Sequence, residues 1–178
     1  MTKPALAVLG FSLASAACVA GDYRSPEAFL GDAFGTVPPP AVIWFTPDIR
    51  ADMERILSHP PAGARQRYWL RDGRSAWILD EIGKVQPITV GVVIDAGTVE
   101  RTEVLAFREE RGWEVRYPFF LEQFRGVRLR ADRNLDRPID GISGATLSVR
   151  ALQKVVRLAL YLDSARRSQD ERRTDAPR

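Results

Sequence analysis

The chain has 178 residues, of which 45% are hydrophobic and 28% are charged, and its formal net charge is +3. This length corresponds to one domain, and this apolar content is enough for a folded core, which excludes an intrinsically disordered protein. Five arginines and three acidic residues lie within residues 164–178, and the rest of the chain is nearly neutral. A nearly neutral body lacks the basic surface of a nucleic-acid-binding protein, so we expect no nucleic acid as a partner.

The first 20 residues have the pattern of a secretory signal peptide. Lys3 precedes a short apolar run, and small residues lead up to Ala17 and Ala20, so cleavage after either alanine fits the pattern. The apolar run is shorter than the roughly 20 residues that a membrane-spanning helix needs. We therefore predict an exported protein, with a buried N-terminal helix as the alternative interpretation of this segment.

Cysteine and histidine each occur once, as Cys18 and His59. These counts exclude an intramolecular disulfide, a cysteine metal cluster, a multi-histidine metal site and a c-type haem. Cys18 is a candidate for lipid attachment, although Ser15 stands where a lipoprotein signal normally has leucine. His59 lies before two prolines at the expected end of a helix, and we expect it at the surface.

Two capped helices and a strand are predicted in the first third of the chain. Ser25 begins a helix that runs to Phe34, and residues 41–45 form a short apolar strand. Thr46 begins a second helix that runs to about Ser58. Its apolar side chains recur at helical spacing and are expected to face inward, namely Ile49, Met53, Ile56 and Leu57.

The middle of the chain predicts an antiparallel sheet built from two hairpins. Residues 67–70 and 75–80 flank an Asp-Gly turn, and residues 88–94 and 99–107 flank an Ala-Gly turn. Gly91 interrupts a β-branched run in the second hairpin, which predicts a bulge or a close backbone contact at that position.

Two further helices follow the sheet. Residues 117–124 predict a short helix that ends before Gly126, and residues 147–163 predict the longest helix of the chain, with one apolar stripe and one charged stripe. The charged residues 164–178 predict a flexible, disordered tail. The fold class is therefore α+β, with an antiparallel sheet of hairpins and packed helices.

The segment with the clearest chemistry is Asp140-Gly141-Ile142-Ser143-Gly144-Ala145-Thr146, directly before the last helix. Its glycines permit a tight turn, and Ser143, Thr146 and Ser148 place hydroxyl groups at the helix N-terminus. In one interpretation a hydroxyl only caps the helix. In the other, the free amide groups of the first turn hold a phosphate. The residues alone leave both interpretations open.

This segment resembles the flavinylation motif of FMN-binding domains. Such domains occur in the periplasmic subunits of sodium-translocating NADH:quinone reductases and Rnf-type complexes, and in regulators of nitrous oxide reductase. In that family a magnesium-dependent FAD:protein FMN transferase joins FMN to the motif threonine through a phosphoester and releases AMP. The resemblance implies that Thr146 is the acceptor of a covalent FMN. The surrounding recognition sequence is matched by Asp140, Gly141, Ser143, Gly144 and Ala145.

The resemblance covers about residues 67–162 and includes the stretch after the second hairpin. Glu109 and Gly112 match a Glu-Thr-Pro-Gly type loop of the quinone-reductase subunits, whereas Glu110 and Arg111 depart from it. The sequence is therefore more similar to the regulator-like and stand-alone members of the family, in which the loop at the N-terminus of the last helix carries the flavin.

Three other side chains are candidates for cofactor binding. Arg111 is suited to hold the phosphate or the N1–C2=O edge of the flavin, and its alternative role is a surface salt bridge with a neighbouring glutamate. Trp113 or Tyr117 is suited to pack on the isoalloxazine ring, and the alternative is ordinary core packing. Carboxylates that are neighbours in the sequence are not expected to form a catalytic pair, because sequence neighbours on a strand point to opposite faces.

The resemblance implies an exported flavoprotein in the periplasm or at the outer face of the cytoplasmic membrane. It would carry one or two electrons between membrane-bound or periplasmic redox partners, and we expect an electron-transfer protein rather than a stand-alone enzyme. A periplasmic flavin-dependent reductase of a small substrate and a non-enzymatic sensory or binding module are the alternatives. The predicted organisation is a signal peptide (1–20), an N-terminal helical or linker region (21–66), an FMN-binding domain (67–163) and a charged tail (164–178).

Overall fold

A computed structural model describes residues 21–174, with side chains described as far as residue 172. The predicted signal peptide and Cys18 lie outside the described residues. Within this range, no helix is both long enough and apolar enough to cross a membrane.

One antiparallel sheet of six strands forms the centre of the fold, in the order β1-β6-β5-β4-β3-β2. The strands are β1 (Gly21–Asp22), β2 (Ala41–Trp44), β3 (Arg65–Arg71), β4 (Arg74–Ile82), β5 (Pro87–Asp95) and β6 (Thr98–Phe107). Both predicted hairpins are confirmed as β3–β4 and β5–β6. Their two-residue turns have positive φ at both positions, 51° and 82° in the first and 48° and 74° in the second, as a type I′ turn requires.

The N-terminal region supplies both edges of this sheet. β1 pairs with β6, and β2 pairs with β3, so the chain before residue 66 belongs to the same sheet as the hairpins. The helix that follows β2 also contributes to the main hydrophobic core. Residues 21–66 are therefore integrated into the domain rather than attached to it.

The two predicted N-terminal helices are confirmed as α1 (Pro26–Phe34) and α2 (Pro47–Leu57). They pack on opposite faces of the sheet. Ala76 contacts the cluster around α1, whereas Trp77 belongs to the core under α2, because successive strand residues face opposite sides. The side chains predicted to face inward from α2 are all buried.

Gly91 lies at a close backbone contact, which confirms one of the two alternatives predicted for this position. A Cβ at this position would lie 2.6–2.8 Å from the ring of Phe29, so the phenyl ring of α1 packs directly on the backbone of β5. The irregular pairing of β5 with β6 occurs elsewhere, between Thr89 and Val90 and between Val93 and Ile94.

The short predicted helix is α3 (Pro118–Leu121), preceded and followed by 3-10 turns at Trp113–Arg116 and Glu122–Phe124. Phe120 of α3 and Phe124 of the second 3-10 turn are fully buried and make an edge-to-face pair, with ring centroids 5.5 Å apart. This pair attaches the segment after β6 to the core.

The last helix, α4 (Thr146–Thr174), continues well past the predicted end at Asp163. The prediction of a disordered tail from residue 164 is therefore wrong for residues 164–174. Asp163 is buried and accepts a hydrogen bond from Ser75 at 2.7 Å, and the buried Arg166 pairs with it at 2.8 Å. Arg166 also lies over the ring of Tyr68, so the helix keeps packing on the sheet where its charged composition predicts solvent.

Candidate functional site

Every third residue in and just before the 140–146 loop faces the core. Ile139 and Ile142 pack against the main core and Ala145 is buried, while the intervening residues are exposed. The apolar side chains anchor the loop, and the exposed positions hold the polar residues that the sequence singled out, namely Asp140, Gly141, Ser143, Gly144 and Thr146.

A tight turn ends the loop. The N–H of Ala145 donates to the carbonyl oxygen of Ile142 at 3.0 Å, which closes a β-turn with Gly144 at its third position. Gly144 has a φ of +82°, the value that a type II turn requires there and that favours glycine. No atom lies within 4 Å of a Cβ built on Gly144, so the backbone conformation and not space demands the glycine.

The first helical hydrogen bond of α4 runs from the N–H of Val149 to the carbonyl oxygen of Ala145, at 2.9 Å. The amide groups of residues 146–148 precede it and have no helical carbonyl to bond. Thr146 is exposed, and within residues 21–174 neither its hydroxyl nor that of Ser143 makes a hydrogen bond. The capping interpretation of these hydroxyls therefore has no support in the structure. Ser148 is buried and does not offer its hydroxyl to solvent.

Gly112 supports the first turn of α4 from below. Its φ is +86°, and a Cβ at this position would overlap the Oγ of Ser148 and lie 3.6 Å from the Cα of Ala145. Gly112, at the end of the stretch 108–112, therefore lies directly against the helix N-terminus. This contact brings Gly112 together with Ala145, two residues that are far apart in sequence.

Glu109 anchors the other end of the same stretch. Its Oε1 accepts the backbone N–H groups of Lys84, Val85 and Gln86 at 2.5, 2.6 and 2.9 Å. Burial by itself raises the pKa of Glu109, but these three hydrogen bonds outweigh it and hold the pKa below its ordinary value. Glu109 is thus occupied by the β4–β5 turn and positions the stretch.

Residues 83–161 match the model of the FMN-binding domain. This segment belongs to the FMN-binding domain family. It begins at the β4–β5 turn that Glu109 holds and ends within α4, so it contains the 140–146 loop and all of its supports. The resemblance to FMN-binding domains is confirmed over residues 83–161, and residues 67–82 of the predicted range lie outside the match. No curated protein and no solved structure matches the chain.

The FMN-binding domain has a cleft of about 670 Å³ beside Glu109, which is within the usual range of roughly 300–1,000 Å³ for ligand pockets. Arg111 and Lys84 line it and make no ion pair within the part of the chain that the structure describes. The alternative role of Arg111, a salt bridge with a neighbouring glutamate, is therefore absent there. Since Gly112 follows it directly, Arg111 also lies next to the helix N-terminus.

The aromatic candidates differ in accessibility. Trp113 is half-buried and packs against the core, with its ring edge-to-face on Tyr117 at 5.4 Å between centroids. Arg116 lies over both rings, at 5.5 Å from each centroid. Tyr117 is exposed, so it presents more ring surface to a bound flavin than Trp113 does.

One supporting residue has no signal in the sequence. The Oε1 of Gln123 accepts the backbone N–H of Asp140 at 2.7 Å and so fixes the start of the loop. Gln123 lies in a 3-10 turn with no motif around it, and only the tertiary fold brings it to the loop.

The N-terminus of α4 fits an FMN phosphate. It combines an exposed hydroxyl, free amide groups at the positive end of a long helix, and an unpaired arginine one residue before Gly112. FMN is thus supported as the ligand by the family and by these residues. Within residues 21–174 no cluster of acidic, histidine or cysteine side chains is suited to a metal ion.

Proposed function

We propose that this protein is an exported electron carrier whose FMN is attached through a phosphoester to Thr146. The observation that carries the proposal is the state of the Thr146 hydroxyl. It is exposed, it makes no hydrogen bond to other described residues, and it stands at the helix N-terminus of a segment that matches the FMN-binding domain.

The residues around Thr146 have separate roles in the proposed attachment. The type II turn at Gly144 and the small, buried Ala145 leave the hydroxyl unobstructed for a transferase that presents FAD. Ester formation at Oγ1 releases AMP from FAD, and the hydroxyl proton is lost. The diester keeps one negative charge, which the amide groups of the first turn and the helix dipole stabilise.

Other residues would orient and tune the bound group. Arg111 would place a cation close to the flavin or its phosphate, which favours an anionic reduced form, and Tyr117 would offer a ring surface. When bound, FMN supplies one- or two-electron redox chemistry. The FAD:protein FMN transferase and membrane-bound or periplasmic redox proteins are the proposed partners.

The proposed location is the periplasm or the outer face of the cytoplasmic membrane. Its support is the signal-peptide pattern of residues 1–20. A covalent bond suits such a location, because a dissociated flavin could not be replaced from a cytoplasmic pool.

Flavin fluorescence of the denatured protein tests the proposal. The protein is produced with the transferase, separated in a denaturing gel and compared with Thr146→Val and Ser143→Ala. We expect a fluorescent band for the wild type and for Ser143→Ala, and none for Thr146→Val. A dark wild-type band, or a fluorescent Thr146→Val band, would rule out the proposed attachment. Rapid turnover of a soluble acceptor by the flavinylated protein would instead favour a reductase.

A further inference from the structure

An arginine-rich stretch precedes the 140–146 loop. Residues 125–137 contain five arginines and two aspartates. Isolated bridges from Thr98 to Arg128 and from Leu129 to Leu135 hold the stretch in place. It contacts α4 where the Nε of Arg157 donates to the carbonyl oxygen of Arg133 at 2.8 Å. The stretch is therefore an ordered part of the fold that concentrates positive charge beside the loop.

A pocket of about 300 Å³ lies between this stretch and α4. We call it the arginine pocket, because its charged lining consists of Arg130, Arg137 and Arg157 against the single carboxylate of Asp136. Ile139, which also lines it, is the residue directly before the 140–146 loop. The pocket therefore combines an excess of positive charge with direct contact to the start of the loop.

Arg157 is the least compensated cation of the pocket. It is half-buried, and it makes no ion pair with any carboxylate among residues 21–174. Its Nε is used by the Arg133 carbonyl, which leaves the two terminal nitrogens as free donors. Burial lowers the pKa of Arg157 because it disfavours the charged form. The carboxylate of Asp132 attracts the guanidinium and partly offsets this effect without forming an ion pair, and an anion bound in the pocket would stabilise the charged form further.

The other two arginines form the rim. Arg130 and Arg137 face Asp132 and Asp136 at 3.5 Å, and their side chains are 62% and 52% exposed. Exposed pairs at this distance contribute little. Arg137 also donates one hydrogen bond to the carbonyl oxygen of Gly126 at 3.2 Å, and each of the two guanidinium groups keeps further donors for a ligand. Neighbouring arginines behave differently: Arg133 is paired with Asp52, and Arg167 with Asp163.

We propose that the arginine pocket binds a small anion with at least two negative charges, of the phosphate-ester or polycarboxylate class. Guanidinium groups bind both classes through paired N–H donors, and three of them match more than one negative charge. Asn134 and Gln153 add neutral donors at the wall. The site does not depend on flavin at Thr146, and its occupant would contact the start of the loop through Ile139.

Calorimetric titration of the full chain, produced without the transferase, tests this site. Sodium pyrophosphate and sodium citrate are the probes, and the ionic strength is held constant with sodium chloride. We expect saturable binding of at least one probe, and the tighter one identifies the class of ligand. The Arg157→Gln variant should weaken binding by about tenfold or more, because it removes the charge at the base of the pocket.

Two further variants keep the test decisive. Arg130→Gln combined with Arg137→Gln alters only exposed side chains, so it should fold normally and still weaken binding. Arg67→Gln removes the same charge from the exposed surface of β3 and should leave affinity unchanged. The proposal is overturned if neither probe binds saturably, or if all variants bind like the wild type. Since no flavin is present, either result is independent of the proposed attachment to Thr146.

Discussion

The N-termini of α1 and α2 differ from that of α4 in what their hydroxyl groups do. Ser25 accepts the N–H of Ala28 at 3.1 Å, and Thr46 accepts the N–H of Ile49 at 3.3 Å, so each hydroxyl caps its helix. At α4, Ser143 and Thr146 make no such bond within the described part of the chain. The same residue type therefore stabilises two helices and is left available at the third.

The difference follows from how each helix is held. α1 and α2 span only 9 and 11 residues, and a side-chain cap closes the first turn of each. α4 spans 29 residues and has a buried apolar side along the sheet, and its first turn rests on Gly112 through Ser148. Because packing holds this N-terminus, we expect its hydroxyls to contribute little to stability. Three sets of substitutions test how this end of α4 is held, from the largest expected effect to the smallest.

Gly112→Ala should be the most damaging of these changes. The new methyl group would overlap Ser148, and the residue would keep a positive φ, so we expect a loss of about 3 kcal/mol in the free energy of unfolding. Gly126→Ala is the matched control, since Gly126 has a φ of +76° but open space around it. Urea denaturation should show a loss of about 1 kcal/mol for the control. Equal losses would mean that Gly112 does not support α4.

Glu109→Gln should have the second largest effect. We expect a loss of about 2 kcal/mol in the free energy of unfolding at neutral pH, because three backbone amides would bond to a neutral acceptor instead of a carboxylate. The pKa of Glu109 is lowered by folding, so its carboxylate contributes fully above the ordinary value of 4.5 and the contribution is lost as pH falls below it. The variant should therefore approach the wild type in stability as the solution is acidified.

Glu110→Gln is the control for that experiment, because the neighbouring glutamate is exposed. It should change the free energy of unfolding by less than about 0.5 kcal/mol. A gap between Glu109→Gln and the wild type that stays constant from neutral to acidic pH would contradict the assigned role of the carboxylate.

The comparison of Thr46→Ala with Thr146→Ala has the smallest expected effect. It tests most directly whether the hydroxyl groups of α2 and α4 differ in their roles. Loss of the α2 cap should cost about 1 kcal/mol, whereas loss of the α4 hydroxyl should cost less than about 0.5 kcal/mol. Both are measured by urea denaturation of flavin-free protein. If Thr146→Ala is as destabilising as Thr46→Ala, the α4 hydroxyl is a cap after all.

Local signals predicted much of the fold. The type I′ turns, the caps at Ser25 and Thr46, and the turn at Gly144 each depend on a few neighbouring residues, and each formed where its sequence pattern placed it. The 140–146 loop was found in the same way, since its glycines and hydroxyls lie together in the sequence.

Long-range contacts account for what the sequence did not show. The extension of α4 depends on Asp163 and Arg166 reaching Ser75 and Tyr68 across the sheet. The support of the loop depends on Gln123, and the arginine pocket depends on Arg157 meeting the 125–137 stretch. In each case the partners are distant in sequence, and neither partner carries a motif that names the other.

Peptide mapping of the transferase-treated protein is the most direct test of the central claim. Trypsin should release residues 134–150 as one peptide, because proline follows Arg137, and this peptide contains Ser143, Thr146 and Ser148. We predict that the mass of one FMN, less one water, is found on this peptide and that fragmentation places it on Thr146. An unmodified peptide, or FMN on Ser143 or Ser148, would contradict the account.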